Sequence, residues 1–302
     1  MLKNANYSKI SDMKESLLYD KLPNGKVRCN VCGHHCLIAS GYRGICRVRS
    51  NINGVLYSLN YGLCIAAAID PIEKKPIYHF WPRTETYSFA AVGCNMHCPW
   101  CQNYEISQTP NNEYVVEGDE VTPGEHVARA LKFMTPSISY TYSEPTVFFE
   151  YALETMKLAR EKGLKNIWVS NGFMSEEMLR EILPYLDAAN IDIKGPDDEF
   201  YAKHCGGNLK TIINNLKTMQ KADIHIELTT LFIPGLNDEE YQIKKLVAAI
   251  VENLGLEVPW HISRFFPAWR MLNAHVTPLE TLHLARSIAQ KAGLKYIYIG
   301  NV

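Results

Sequence analysis

Three cysteines carry the plainest chemistry in this chain. In Gly93-Cys94-Asn-Met-His-Cys98-Pro-Trp-Cys101-Gln-Asn103 they recur as C-x-x-x-C-x-x-C. Three thiolates at that spacing suit a four-iron, four-sulfur cluster in which one iron lacks a protein ligand. Such an open iron can chelate a substrate or cofactor and pass it one electron. The alternative is zinc held by the three thiolates and His97. His97 abuts Cys98, however, and adjacent residues rarely ligate one tetrahedral ion comfortably.

A second group, Cys29-x-x-Cys32-x-x-x-Cys36 completed by Cys46, supplies four more thiolates. Four cysteines in a small loop-rich segment suit a structural zinc or an auxiliary iron–sulfur cluster. His34 and His35 are spare donors. The paired start and the lack of another core favour a structural role, and zinc is the preferred ion. Seven of the nine cysteines fall in these two groups and the total is odd, which does not fit a disulfide framework. Cys64 and Cys205 have no partner at ligand spacing and read as small buried side chains.

The background composition is ordinary. Of 302 residues, 47% are hydrophobic and 21% charged, which excludes a disordered chain. Lys plus Arg number 31 against 32 Asp plus Glu, so there is no basic footprint of a nucleic-acid binder. The longest apolar run, Leu63 to Ile69, is too short to span a bilayer. Lys3, Lys9, Asp12, Lys14 and Glu15 interrupt the start of the chain, so a secretory signal is not expected. The expected location is the cytoplasm.

Two regions must position these groups. Residues 1–80 read as a Cys-rich, metal-stapled module. It has an amphipathic stretch at Ile10 to Tyr19, a turn at Leu22-Pro-Asn-Gly25, and a hairpin signal at Asn53-Gly54. A segment so small and turn-rich holds little core of its own, and a metal is the usual remedy. Asp70-Pro-Ile-Glu-Lys-Lys-Pro-Ile-Tyr-His79 reads as the join. Residues 81–302 then alternate strand and helix. Strands are expected at 86–92, 137–142, 166–170, 188–193, 224–231, 258–263 and 295–299. Helices are expected at Glu125 to Met134, Thr146 to Glu161, Ser175 to Leu183, Leu209 to Gln220, Asp238 to Asn253 and Leu279 to Ala292.

The strand faces choose between sheet and barrel. Asn190, Asp192 and Lys194 oppose Ile191 and Ile193; His225, Glu227 and Thr229 oppose Ile224, Ile226 and Leu228; His261 and Ser263 oppose Trp260 and Ile262. A sheet covered on both sides would be apolar on both faces. One polar face per strand predicts an α/β fold with a partial (β/α) barrel, helices outside and a ligand inside. The cysteine triad then leaves the first barrel strand at the mouth where barrel active sites lie.

The triad, with Trp100 just before its last cysteine, resembles the signature of radical S-adenosylmethionine (SAM) enzymes. The stretch CNMHCPWCQNYEISQ, Cys94 to Gln108, resembles the branch that includes pyruvate formate-lyase activating enzymes. Further matches lie at Tyr140-Thr-Tyr-Ser-Glu-Pro-Thr146, Ser170-Asn-Gly172, Asp192-Ile-Lys194, Pro234-Gly-Leu-Asn-Asp238 and His261-Ile-Ser-Arg-Phe265. The N-terminal cysteines and Asp70-Pro-Ile-Glu-Lys-Lys-Pro76 narrow the resemblance to the radical SAM member of the AmmeMemoRadiSam system. It covers essentially the whole chain.

The resemblance implies a partial (β/α) barrel with a cluster on Cys94, Cys98 and Cys101. The open iron takes the amino and carboxylate groups of SAM, and an electron from the cluster cleaves SAM to methionine and a 5′-deoxyadenosyl radical. That radical abstracts hydrogen from a substrate. By position, Glu144 falls near the SAM amino group, Ser170 and Asn171 near the ribose, and Asp192, Lys194 and His261 beside SAM. Tyr142 and Ser143 stand where many relatives have glycines. The implied partners are an electron donor such as flavodoxin or ferredoxin, and a protein substrate or the partner proteins of that system. The expected substrate is a small molecule or peptide. Activation of a glycyl-radical enzyme is the second reading, and a non-catalytic electron-transfer or scaffold protein the third. Polar side chains on several lumen faces argue against the third, since a scaffold would fill its barrel with aliphatic groups.

Overall fold

Period-two patterning becomes an open, curved sheet. A computed structural model describes residues 13–110 and 115–302. Its central sheet has eight strands: β1 (Ala66–Pro71), β2 (Glu85–Ala90), β3 (Ser137–Tyr140), β4 (Lys165–Ser170), β5 (Ala188–Asp192), β6 (His225–Phe232), β7 (Trp260–Arg264) and β8 (Ile297–Gly300). They lie side by side in chain order; β2 to β8 are parallel and β1 runs antiparallel at the edge. No pairing closes β1 onto β8 among the described residues, so the barrel is partial.

Helices fill the outer layer: α1 (Pro123–Lys132), α2 (Phe149–Glu161), α3 (Glu176–Ile182), α4 (Asp198–His204), α5 (Leu209–Lys221), α6 (Glu240–Leu254) and α7 (Leu279–Lys291). Their starts are written in the sequence. Thr122 and Glu125 form a capping box ahead of α1, and Ser175, Asp197 and Asn208 each accept a backbone N–H as N-caps. Under the helices lie Tyr87, Phe89, Ile138, Tyr140, Trp168, Ile191, Leu228, Trp260 and Ile262, all buried. The polar faces turn inward. There Asp192 sits opposite Thr229, Thr229 opposite His261, and Thr229 Oγ1 donates to Asn190 Oδ1 at 2.9 Å. No helix of the described residues is long and apolar enough to cross a membrane.

Each expected strand and helix has a counterpart within a few residues, but several elements were not expected, among them β1, α4 and the one-turn helix Tyr104–Ser107. β1 contains Ala66-Ala67-Ala68, which lacks the branched side chains that mark strands. α4 is a short helix that begins at the Asp197 cap. The expected boundary near residue 80 falls beyond β1, so the sheet recruits a strand from the N-terminal side.

The hairpin at Asn53-Gly54 forms, with Ile52 opposite Val55 and positive φ at both turn residues. Of the amphipathic stretch, residues 10–12 lie outside the described residues; the rest gives the short strands Lys14–Glu15 and Tyr19–Lys21. Val27, Val31, Ile38 and Leu56 pack into the same core as the barrel side chains. Arg49 and Glu150, both buried, pair across the junction at 2.7 Å.

Candidate active site

The cysteine triad sits in a loop pinned from several sides. Gly93 turns the chain out of β2 at φ +109°, and a Cβ there would meet Val48 at 3.0 Å and Val147 at 3.3 Å. Gly93 N–H donates to Ile106 O at 2.8 Å, closing the loop. Buried Asn95 donates from Nδ2 to Phe173 O at 3.1 Å and accepts from Asn171 Nδ2 at 2.7 Å. Gln108 Nε2 donates to Met96 O at 3.1 Å. Cys94, Cys98 and Cys101 then line one cavity of about 580 Å³ together with Glu144, Ser170, Asn171, Asp192 and Lys194. That volume suits a small-molecule site. His97 is not in the lining; its ring packs on Gly206, where an added Cβ would stand 2.3 Å from it.

Charge is distributed unevenly over these groups. Burial, with Glu144 and the neighbouring sulfurs adding to it, pushes the Cys94 thiol well up. Burial also raises Cys101. Cys98 is lowered, because the Cys205 thiol donates to it and the Lys194 ammonium lies nearby, while Cys205 is pushed up. Lys194 Nζ meets Asp192 Oδ2 at 2.7 Å. Desolvation works against the Lys194 ammonium, but the charges of Asp192 and Cys98 outweigh it and raise its pKa.

Glu144 is both a cap and a wall. Its Oε1 accepts from Thr146 N–H at 3.0 Å, Thr146 Oγ1 at 2.6 Å and Ser170 Oγ at 2.8 Å, and its Oε2 accepts from Asn171 N–H at 2.9 Å. Burial still raises its pKa against these bonds. Ser170 and Asn171 therefore position Glu144 and the cysteine loop from the end of β4.

His261 is not brought to this cavity. Ser263, two residues on along the same face, lines it instead. That offset puts His261 about 7 Å further from the mouth. Its Nε2 meets Glu227 Oε2 at 2.6 Å, and its ring stacks on Tyr298 at 5.3 Å. Glu227 also accepts from Tyr78 N–H at 2.8 Å and His79 N–H at 2.7 Å, and meets His225 at 2.9 Å. Two histidines and two backbone amides hold its carboxyl down to about 2, although burial opposes them. This cluster straps residues 78–79 across the barrel.

Reasoning from sequence missed one part of the cavity's lining. Asp70, Lys74, Lys75 and Tyr142 form it. Asp70 Oδ2 accepts from Lys75 Nζ at 2.6 Å and from the Tyr142 hydroxyl, Asp70 Oδ1 accepts from Lys74 Nζ at 3.1 Å, and Lys75 Nζ lies 4.3 Å from the Tyr142 ring centre. Burial opposes the Asp70 charge, but these donors hold its carboxyl well below the usual range. The signal was present in the motif from Asp70 to Pro76, read above as a join.

Cys29, Cys32, Cys36 and Cys46 converge on a separate small void, which His34, Arg49, Thr146 and Val147 also line. Cys29 N–H donates to Cys36 O at 3.0 Å and His35 N–H to Cys32 O at 3.1 Å, so backbone turns gather the thiols. Burial pushes Cys29 up to about 12 and also raises Cys32 and Cys46; Arg49 is the largest opposing influence on Cys29 and Cys46. Among the described residues no three side chains of ligand type are closed up around one point. The fit to a metal rests on donor type and convergence.

Residues 90–247 match the family model described as the radical SAM superfamily. The chain belongs to the radical SAM superfamily. An uncharacterized protein of Methanocaldococcus jannaschii is 46% identical over 96% of this chain and 86% of its own length. The pyruvate formate-lyase-activating enzyme of Clostridium pasteurianum is 24% identical over 54% of this radical SAM chain and 67% of its own. A radical SAM methyltransferase from Sphaerobacter thermophilus shares the fold, with a TM-score of 0.57 at 14% identity over 74% of this chain and 68% of that one. Membership makes the protein an enzyme of reductive SAM cleavage and implies a four-iron, four-sulfur cluster and SAM. The cavity lined by three thiols, a lysine–aspartate pair and a buried glutamate offers sulfur donors suited to such a cluster and charged groups of both signs suited to a zwitterionic ligand.

Proposed function

We propose that this radical SAM enzyme uses Cys94, Cys98 and Cys101 to hold its cluster, binds SAM against Glu144, Asp192 and Lys194, and acts on a small molecule or peptide. When reduced and bound there, the cluster would supply the electron that cleaves SAM to methionine and a 5′-deoxyadenosyl radical. The observation that carries this reading is one cavity lined both by the triad and by Asp70, Lys75 and Tyr142.

The chain's own residues do four things. The Asn95–Asn171 contact fixes the loop that would present the sulfurs to iron. Glu144 presents a charge-stabilising acceptor in a water-poor wall, where interaction with an ammonium group is strengthened. Lys194 supplies the complementary cation beside Asp192. His261, below the cavity, supports the barrel floor through Glu227.

The wall made by Asp70, Lys75 and Tyr142 comes from β1, the segment after it and the turn after β3. This reading makes it the substrate-facing side and residues 81–302 the core that generates the radical. A ferredoxin or flavodoxin would serve as electron donor. The motif from Asp70 to Pro76 supports placement in the AmmeMemoRadiSam system, whose partner proteins would supply the substrate. Reduced, reconstituted protein given SAM and candidate substrates tests this: deoxyadenosine should form, and a deuterated substrate should pass deuterium to it. A fully reduced, fully reconstituted sample that forms no deoxyadenosine would sink the proposal.

A further inference from the structure

The four N-terminal thiols surround a void of about 10 Å³. That is about the space of one water molecule. It admits a single ion, whereas a cluster of four irons and four sulfides needs far more room. Four cysteines lining one void supply the donor set of tetrahedral zinc, and their sulfurs would draw together around the ion to reach about 2.3 Å from it.

Arg49 supplies the second observation. It lines the same void and is buried. Its Nη1 donates to Ser16 Oγ at 2.7 Å and Glu150 Oε1 at 2.9 Å, and its Nη2 to Glu150 Oε2 at 2.7 Å and Val147 O at 3.4 Å. Its Nε–H is buried with no partner. An unpartnered buried donor is costly; Arg49 lines the void together with the four thiols, and its charge acts on those of Cys29 and Cys46. Four thiolates around a zinc ion carry a net charge of −2, so such a donor would be satisfied by one of them.

We propose that Cys29, Cys32, Cys36 and Cys46 bind a single zinc ion and that Arg49 Nε–H donates to one of its thiolate sulfurs. The thiol protons leave as the ion binds. Arg49 is then a positioning residue with two jobs: its Nε faces the zinc site and its outer nitrogens hold Glu150 on α2. Val147, three residues after Glu144, accepts from the same guanidinium. Zinc occupancy, module docking and the Glu144 turn are thereby linked.

Metal analysis of protein purified without added metal tests this, together with the Cys94→Ala/Cys98→Ala/Cys101→Ala variant. A single equivalent of zinc should remain in the triple variant, with no iron or sulfide. Cobalt exchanged into that variant should show the absorption of a tetrahedral tetrathiolate site. Arg49→Lys keeps a cation for Glu150 but removes Nε–H, and should weaken zinc in chelator competition about 10- to 100-fold. Iron with sulfide in the triple variant, absence of any metal there, or zinc that survives Cys32→Ser with Cys46→Ser would overturn the site. Unchanged zinc affinity in a folded Arg49→Lys variant would overturn the role of Arg49. None of these readouts depends on SAM cleavage, so they stand or fall apart from the proposed activity.

Discussion

His34 Nε2 lies 2.7 Å from the carbonyl oxygen of Asn95. One residue belongs to the N-terminal cysteine group and the other to the loop that carries Cys94, Cys98 and Cys101. Burial lowers the His34 pKa, which favours a neutral ring that donates to the carbonyl. The His34 ring also meets Phe173 edge-on at 5.0 Å, and Phe173 O accepts from Asn95 Nδ2. The two cysteine groups are therefore braced against each other through one asparagine.

That brace predicts a measurable effect on cluster retention. His34→Ala removes one hydrogen bond, a net contribution of about 1 kcal/mol. Iron should leave the reconstituted triad a few-fold faster in the presence of a chelator, with the fold unchanged by circular dichroism. Loss at the wild-type rate would show that the contact does not preorganise the loop.

Glu144 and Lys194 should separate SAM binding from cluster assembly. Both Glu144 oxygens accept bonds, so Glu144→Gln places an amide donor against existing donors. Hydrogen bonds to charged groups contribute about 1.5–3 kcal/mol, or roughly ten- to a hundred-fold in affinity. Equilibrium dialysis with SAM should show that loss in Glu144→Gln and Lys194→Ala while iron content holds. Wild-type SAM affinity in both variants would remove these residues from the site.

The sheet was legible because β5, β6 and β7 each carry a polar inner face and an apolar outer one, and period two leaves no other arrangement for Asp192, Thr229 and Ser263. The triad was legible because thiolate spacing is itself chemistry. His261 shares that inner face, but spacing along a strand does not say how deep in the barrel a residue sits, and its partner Glu227 lies 34 residues away. The Asp70 wall was hidden for a similar reason. Asp70 and Tyr142 meet across 72 residues, and an antiparallel strand of alanines offers little pattern from which to expect β1.

Asp70, Lys75 and Tyr142 give the cleanest test of the substrate side. Tyr142→Phe removes only the hydroxyl that bonds to Asp70, and Asp70→Asn removes the charge that neutralises Lys75. Either change should leave deoxyadenosine formation in the absence of substrate near wild type and reduce substrate conversion at least tenfold. Conversion is read by mass spectrometry of the products. Equal loss of both activities would instead place the trio in SAM binding, and no loss of either would make it purely structural.

Acid stability turns on His126, sealed between β2 and α2. Its Nδ1 meets the Tyr87 hydroxyl at 3.0 Å, its Nε2 meets Tyr151, and its ring stacks on Phe89 at 3.8 Å. Burial, assisted by Arg129, lowers its pKa from 6.5 to about 3. Because the folded state resists a proton that the unfolded state accepts below pH 6.5, stability falls as pH drops through that range. At pH 5 the difference is about 2 kcal/mol. Glu227 does not confuse this window: its carboxyl is depressed from 4.5 to about 2, so its contribution is full above pH 4.5 and is lost only below. Hydrogen exchange in β2 and α1, corrected for intrinsic rates, should therefore show protection falling between pH 7 and pH 5. In His126→Phe the Phe89 stack is kept and the titrating group is gone. That variant should start less stable, because the Tyr87 and Tyr151 hydroxyls each lose the imidazole as a partner, yet its protection should change far less over the same interval. A wild-type pH slope in His126→Phe would show that the acid sensitivity of this core lies elsewhere.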